Sequence, residues 1–430
     1  MNSEARKAKL NELKANKNNI AMTGIPLRYR SSTLFVDVYK IPLEFLIYNK
    51  YNGRIGSEVK SFEKQYYELN PEIKEDRRKI EGFLFDSKRE RNKTTLDSLR
   101  IKTQQRYGIV TADGVIIDGN RRAMLLNKLF HERDDLGYAF SEVEHCQYFL
   151  AIILPEDASK KDIHQLETTY QMGEDDKLDY DAIEKYLKCK ELYEYFETDA
   201  IAGFMGENEG QIMKWLSILS LMEDYLDEYG YTGIYTRLEK TEGPFVDLNS
   251  YLESYDKRGR NTSEVEWEYS DLDITELKLI CFDYIRARYE GKEFRDIAKT
   301  GKGGSIFFHK DLWDEFLREH KERVPPDEET VEELRGKYPN EDLSKLLKRR
   351  DEEWKTKAKG QLEGNLRRYT SKLEDKRVAD KPSELIEKAL SALRAVDYQQ
   401  SSFLTDPHIK EMVKDINSIV WDMKKLLDRK

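Results

Sequence analysis

Apolar positions along the chain repeat with two periods, and the switch between them is sharpest at 115-VIIDGNRRAMLLNKL-129. Val115, Ile116 and Ile117 are β-branched and predict a buried strand, whereas Ala123, Met124, Leu125, Leu126 and Leu129 fall on one side of a 3.6-residue repeat and predict a helix. Shorter apolar runs before residue 155 predict further strands. Beyond it the pattern is helical almost throughout: 197–226 as two helices broken at Gly206, 273–297, a charge-rich stretch over 341–377, and 409–429. In the last of these Ile409, Met412, Val413, Ile416, Ile419, Val420, Met423 and Leu426 form one stripe, the signature of a core face or an oligomer seam. The pattern therefore gives an α+β chain in which a small mixed α/β domain precedes a mainly α-helical remainder.

The junction between strand and helix at Asp118, Gly119, Asn120, Arg121 and Arg122 carries the first candidate chemistry. Gly119 permits a backbone that other residues resist, Asp118 can cap the turn, and the helix start offers free N–H groups and a positive dipole end. Phosphate binds such a helix start, and two guanidiniums add bidentate donors for phosphate or carboxylate. A bare DGxRR fits equally an exposed turn whose arginines pair with nearby acids.

The segments around this turn resemble the ParB/sulfiredoxin superfamily. The turn is similar to that family's G-[EN]-R-R motif, and 41-IPLEFLIYNKYNGRI-55 is similar to its opening segment, with Asn52, Gly53 and Arg54 in the region of the family's arginine and without its proline. Within 95-TLDSLRIKTQQRYGIVTADG-114, Ser98 takes the place of the family's serine. The segment 163-IHQLETTYQMGEDDKLDYDAIEKYLKCKEL-192 resembles its second phosphate-contacting segment, with Glu167 for the glutamate, Thr168 where the family has asparagine, Gln171 where it has arginine, and a longer spacing to Glu184. The resemblance implies a nucleoside triphosphate, CTP or ATP, with Mg²⁺, bound by Asn52, Arg54, Ser98, Gly119, Asn120, Arg121, Arg122 and Gln171. It also implies Asp118 and Glu167 as the carboxylates for any phosphoryl chemistry, in an NTPase or nuclease. A setting in mobile elements or anti-phage defence follows by the same analogy. Sulfiredoxins carry a cysteine where this chain has Asn120, so their reductase activity is not implied.

Helices 197–226 resemble the helix-turn-helix that follows such domains, but the segment from Glu191 to Glu228 has Lys214 as its only base, and a groove-reading helix needs cations for phosphate. A helical support role is therefore the plainer reading. With 73 Lys and Arg against 83 Asp and Glu, the net charge of −10 excludes general coating of nucleic acid and confines DNA contact to local basic surfaces. Candidates are residues 1–35, read as a basic arm with helical character, and the lysine and arginine clusters at 345–359 and 366–377. A protein partner or homo-oligomer is the other expectation. A non-catalytic regulatory or scaffolding protein, whose anion cradle meets DNA phosphate or a partner carboxylate, is the alternative function.

Cys146, Cys189 and Cys281 are widely spaced and predict neither zinc nor a disulfide framework, which suits a reducing cytoplasm. No stretch is apolar enough for a membrane span. The expected organisation is an arm over 1–35, the α/β domain over 36–155 with a helical insertion at 57–95, a helix-turn-helix-like domain over 156–245, a loop-rich connection around Pro244, and a C-terminal helical domain over 265–430. The glycines and lysines at 300–305 lack the phosphate-loop spacing and predict a turn.

Overall fold

A computed structural model gives the fold and describes all residues except 31, 173–180, 256–264, 266, 301–303, 327–328 and 429–430, without the side chains of 171, 172, 380, 384, 401 and 402. The chain divides into two compact units, Met1–Gly364 and Asn365–Lys430.

The first unit is organised by a six-stranded sheet made of β1 (Ile20–Tyr29), β2 (Ser32–Pro42), β3 (Ile47–Tyr48), β4 (Gly108–Val110), β5 (Val115–Asp118) and β6 (Tyr148–Ile153), in the order β1-β2-β6-β4-β5-β3. β4 runs parallel to β6, and β3 parallel to β5, while the other pairings are antiparallel. Side chains alternate across a sheet, so neighbouring apolar residues enter different layers. Val110, Ile116 and Ile153 face one core, whereas Ile109, Ile117 and Ile152 face the other. That explains why the β5 run is apolar without alternation: both faces are covered.

The first layer is built by α1 (Ser3–Ala15), α2 (Gly56–Gln65), α3 (Lys74–Asp86), α4 (Arg89–Lys102) and α5 (Asn120–His131), through Leu10, Val59, Ile80, Leu96 and Leu126. Short helices α6 (Arg133–Leu136) and α7 (Phe140–Val143) lead back to β6. The second layer is closed by α8 (Lys160–Met172), whose Leu166 packs on Ile109 and Ile117. The insertion at 57–95 is thus helical and supplies core side chains.

Two expectations change here. The first 35 residues are not an arm: Leu10 and Leu13 are buried in the core, Arg6 is buried with its guanidinium on Glu72 (2.8 Å) and the Asp113 carbonyl (2.9 Å), and β1 pairs along β2. The basic residues of α1 hid an apolar face at helical spacing. Residues 242–255 are not loop but the helix α12 (Glu242–Tyr255), because Pro244 sits in its first turn, where no intrahelical N–H is required.

Between α8 and α12 lie α9 (Ala182–Tyr193), α10 (Thr198–Met205) and α11 (Glu209–Glu228). Gly206, in the left-handed region at φ 65°, separates α10 from α11, and Asn208 caps α11 through the Gln211 N–H (2.9 Å). Two helices are thus joined by a short turn. Ile212, Ile218, Leu219, Met222 and Leu226 of α11 are buried, so much of its surface is core. Helices α13 (Asp271–Arg286), α14 (Phe294–Ala298), α15 (Lys310–Arg323), α16 (Val331–Lys337) and the start of α17 (Leu343–Arg394) complete the unit, and the glycines at 301 and 303 fall outside the described residues.

The second unit contains the rest of α17, α18 (Ser401–Thr405) and α19 (Pro407–Leu427). Among its described residues Asn365, Tyr369 and Leu373 are buried, whereas the α19 stripe is exposed from Met412 to Leu427.

Candidate functional site

The start of α5 is shaped by its neighbours. Gly119 has φ +103°, and a Cβ there would lie 2.6 Å from Cζ of Phe149, so both conformation and space require glycine. No side chain caps the helix. Asn120 is buried instead of presented: its Oδ1 accepts from the Asn49 N–H (2.9 Å), and its Nδ2 donates to the Ile116 carbonyl (3.1 Å). One side chain therefore fastens the loop after β3 to the end of β5.

The adjacent arginines separate in role. Arg122 donates to Asp118 Oδ2 (2.6 Å) and to the carbonyls of Arg106 (2.5 Å) and Tyr107 (3.2 Å). It clamps the entry to β4, and Asp118 is its counter-charge and not the cap of the turn. Arg121, half-buried, occupies the first turn beside it. The geometry thus realises the structural alternative for Arg122.

The loop of residues 49–55 lies against this junction and is held by short-range turns. The Asn49 carboxamide accepts from Tyr51 N–H (3.1 Å), and Asn52, buried, accepts from Arg54 N–H (3.2 Å). Such Asx turns fix a loop without regular structure. From the α8 side Glu167 reaches the loop: Asn49 Nδ2 approaches its Oε1 at 3.5 Å, and the Gly53 N–H donates to the carboxylate.

Glu167 is also half of a buried ion pair. Lys188 of α9 donates to it at 2.6 Å and to Glu191 at 3.0 Å, and His164 Nδ1 lies 3.4 Å from the ammonium. Glu167 and Lys188 side chains are each 3% exposed. Burial pushes Glu167 upward against Lys188; burial also pulls Lys188 down, but its two carboxylates outweigh that and hold it above the usual ammonium value. Burial and Lys188 lower His164, leaving the ring neutral at pH 7. A buried pair of this kind is costly to break because the surviving charge is stranded.

Glu184, also on α9, caps the other end of the loop. Its Oε1 accepts from the N–H (2.8 Å) and Oγ (2.5 Å) of Ser57 in the first turn of α2. Burial raises its carboxyl to about 8 despite these donors. Loop 49–55 is consequently gripped by α5, α8 and α9 together.

Asn52, Arg54, Gly119, Asn120, Arg121 and Glu167 thus converge around this loop, either in it or on the elements that hold it. Ser98 does not join them: it is exposed on α4, facing away from buried Leu96 and Leu99. Thr168 is buried and donates to the His164 carbonyl (2.8 Å). The side chain of Gln171 lies outside the described residues. Asp118 and Glu167 are each paired with a cation of the chain, and among the described residues no group of three His, Cys, Asp or Glu side chains is arranged to hold a metal. The three cysteines are free and buried, and burial raises Cys146 to about 11 and Cys189 to about 12, so neither is a ready thiolate.

Lys188 and Asn49 are the functional-looking residues that pattern reading missed. The signal for Lys188 was Glu184, Lys188 and Glu191 at i, i+4 and i+7, one helix face carrying a cation between two acids. No known protein-family model matches the chain, and no curated protein sequence matches it significantly.

Proposed function

We propose that this chain is a ParB-like nucleoside-phosphate-binding protein that takes a nucleoside triphosphate, CTP or ATP with Mg²⁺, at the start of α5, and couples its occupancy to DNA or a protein partner through the helical region. The observation that carries the reading is the grip on loop 49–55. Asn120 and Glu167 fix the loop beside an uncapped helix start, so an anion that seats there contacts α5 directly and α8 and α9 through the loop. Backbone N–H groups and Arg121 would meet the phosphates, and the divalent ion would ride on the phosphate oxygens. An NTPase or nuclease activity would draw on Asp118 or Glu167 after release from Arg122 or Lys188.

The pairing of both carboxylates favours a second reading, a binding switch without turnover in a regulatory or scaffolding protein. Calorimetric titration with CTP, ATP and GTP, with and without Mg²⁺, tests the proposal beside an Arg121→Ala variant, followed by measurement of phosphate release. Binding lost in the variant with no phosphate released selects the switch; binding with release selects the enzyme. Failure of all three nucleotides to bind the parent chain overturns both.

A further inference from the structure

A cavity of about 520 Å³ opens between α8 and α10, with the end of β1 along one side. Helical spacing brings its walls together. On α8, Lys161, Gln165 and Thr169 recur every four residues, and on α10, Ala200, Gly203 and Phe204 stand three or four apart, so each set shares a helix face. The other face of α10 carries Ile201, Ala202 and Met205 into a separate core. Towards α8 the helix therefore turns two of its smallest residues, and a Cβ on Gly203 would meet no atom within 4 Å. The cleft is open at that point.

The polar groups of the wall divide into engaged and open ones. Arg30 donates to Asp157 (2.7 Å) and to Asp162 (2.9 Å), and the Ser159 hydroxyl also donates to Asp162 (2.7 Å), so this corner is a fixed ion-paired edge. By contrast, Arg28 and Lys161 form no ion pair with a described residue, and the Gln165 carboxamide forms no hydrogen bond with one. The Lys161 ammonium stands 4.7 Å from the ring centre of Phe196, an exposed cation held beside an aromatic face.

The apolar part of the wall is mainly aromatic. Phe196 and Phe204 are both half-buried and meet edge to face, with ring centres 4.9 Å apart and planes at 79°. Leu166, buried against Ile109 and Ile117, adds an aliphatic side from the sheet layer. Sites for small molecules are clefts of about 300–1,000 Å³ that combine apolar and aromatic walls with a few polar groups to fix orientation. This cavity has that size and that division of labour.

We propose that this cavity binds a small aromatic carboxylate, its ring packed on Phe204 and Phe196 and its carboxylate accepting from Lys161 beside Phe196 and from Arg28 across the cleft. An aromatic ring suits the two phenyl rings, because aromatic pairs gain more than their buried area alone. A carboxylate suits the open cations, because charge-assisted hydrogen bonds are the strong ones. One negative charge fits better than a phosphate dianion, since Asp162 shares the wall. The site does not depend on the nucleotide reading at α5.

The test is calorimetric titration of the full chain with naphthoate and indoleacetate, beside neutral naphthylmethanol and acetate. Saturable binding of at least one aromatic carboxylate is expected, at least tenfold tighter than that of the alcohol or of acetate. Gly203→Leu fills the cleft and replaces a glycine within a helix, so binding should be lost with no lowering of the thermal midpoint. In Arg28→Gln/Lys161→Gln, whose side chains are exposed in the parent, the preference for carboxylate over alcohol should disappear. Binding is expected to persist in Arg121→Ala, which separates this site from α5. No saturable binding of either carboxylate, equal binding of the alcohol, or binding unchanged in Gly203→Leu overturns the proposal.

Discussion

Single residues at the junction of β5 and α5 are under opposing demands, and those demands set the expected effects of substitution. Gly119→Ala adds a Cβ 2.6 Å from Phe149 at φ +103°, so strain and overpacking together should cost about 2–4 kcal/mol. Urea unfolding checks this, and in the double variant Gly119→Ala/Phe149→Leu the loss should be smaller than the sum of the two single losses, because only the clash is relieved. A loss equal to that sum would show that Phe149 does not constrain the turn. At the ion pair, Lys188→Met leaves Glu167 buried and uncompensated and should cost about 3–5 kcal/mol, whereas Lys188→Met/Glu167→Gln should recover much of it. Equal destabilisation of single and double variants would show that Lys188 matters for its packing alone.

Elements with one strong period were legible in the sequence, and those whose polarity misled were not. β5 and α5 follow from the change of period at Gly119, and α11, α13 and α19 from their apolar stripes. The burial of helix α1 was hidden because basic residues outnumber the few that are buried, Arg6, Leu10 and Leu13, and α12 was hidden because Pro244 reads as a breaker wherever it stands in a sequence. At the site, sequence order located Asn52, Gly119, Asn120 and Glu167 but not the partners that decide what each does. Arg122 is spent on Asp118 and two carbonyls, a matter of three-dimensional proximity that no spacing encodes. The grip of α9 on α2 has a pH signature. Glu184 is raised to about 8 in the folded chain, above its unfolded value of about 4.3. A raised carboxyl binds its proton more tightly when folded, so its contribution is full below the unfolded value and is lost as pH rises through about 8. Glu184→Gln should therefore be neutral near pH 4 and more stable than the parent by up to about 5 kcal/mol at pH 9. Denaturant midpoints across that range decide it, and a gap that does not widen with pH removes Glu184 as its origin.

Across the whole molecule, apolar surface is distributed unevenly between the two units. The first buries its large side chains around the sheet and in the helical part, with Trp313, Tyr284 and Phe149 all fully enclosed. In the second, none of the described residues from 396 to 428 is buried, and Ile416, Trp421 and Leu426 are 36%, 56% and 66% exposed. Hydrophobic stabilisation scales with area removed from water, so this stretch adds little to the folding of a single chain in spite of its apolar stripe. Removing residues 396–430 should shift the thermal midpoint at low protein concentration by less than about 2 °C, since a change below about 0.5 kcal/mol moves the midpoint of a large chain only slightly. Binding of a hydrophobic dye to the native chain should fall in the same variant, because an exposed stripe of this size is a surface for apolar ligands. A midpoint lowered by several degrees at low concentration would mean that the stripe is buried within the folded chain. Lowering that appears only as protein concentration rises would place its burial between molecules, because stabilisation through association grows with concentration and folding within one chain does not.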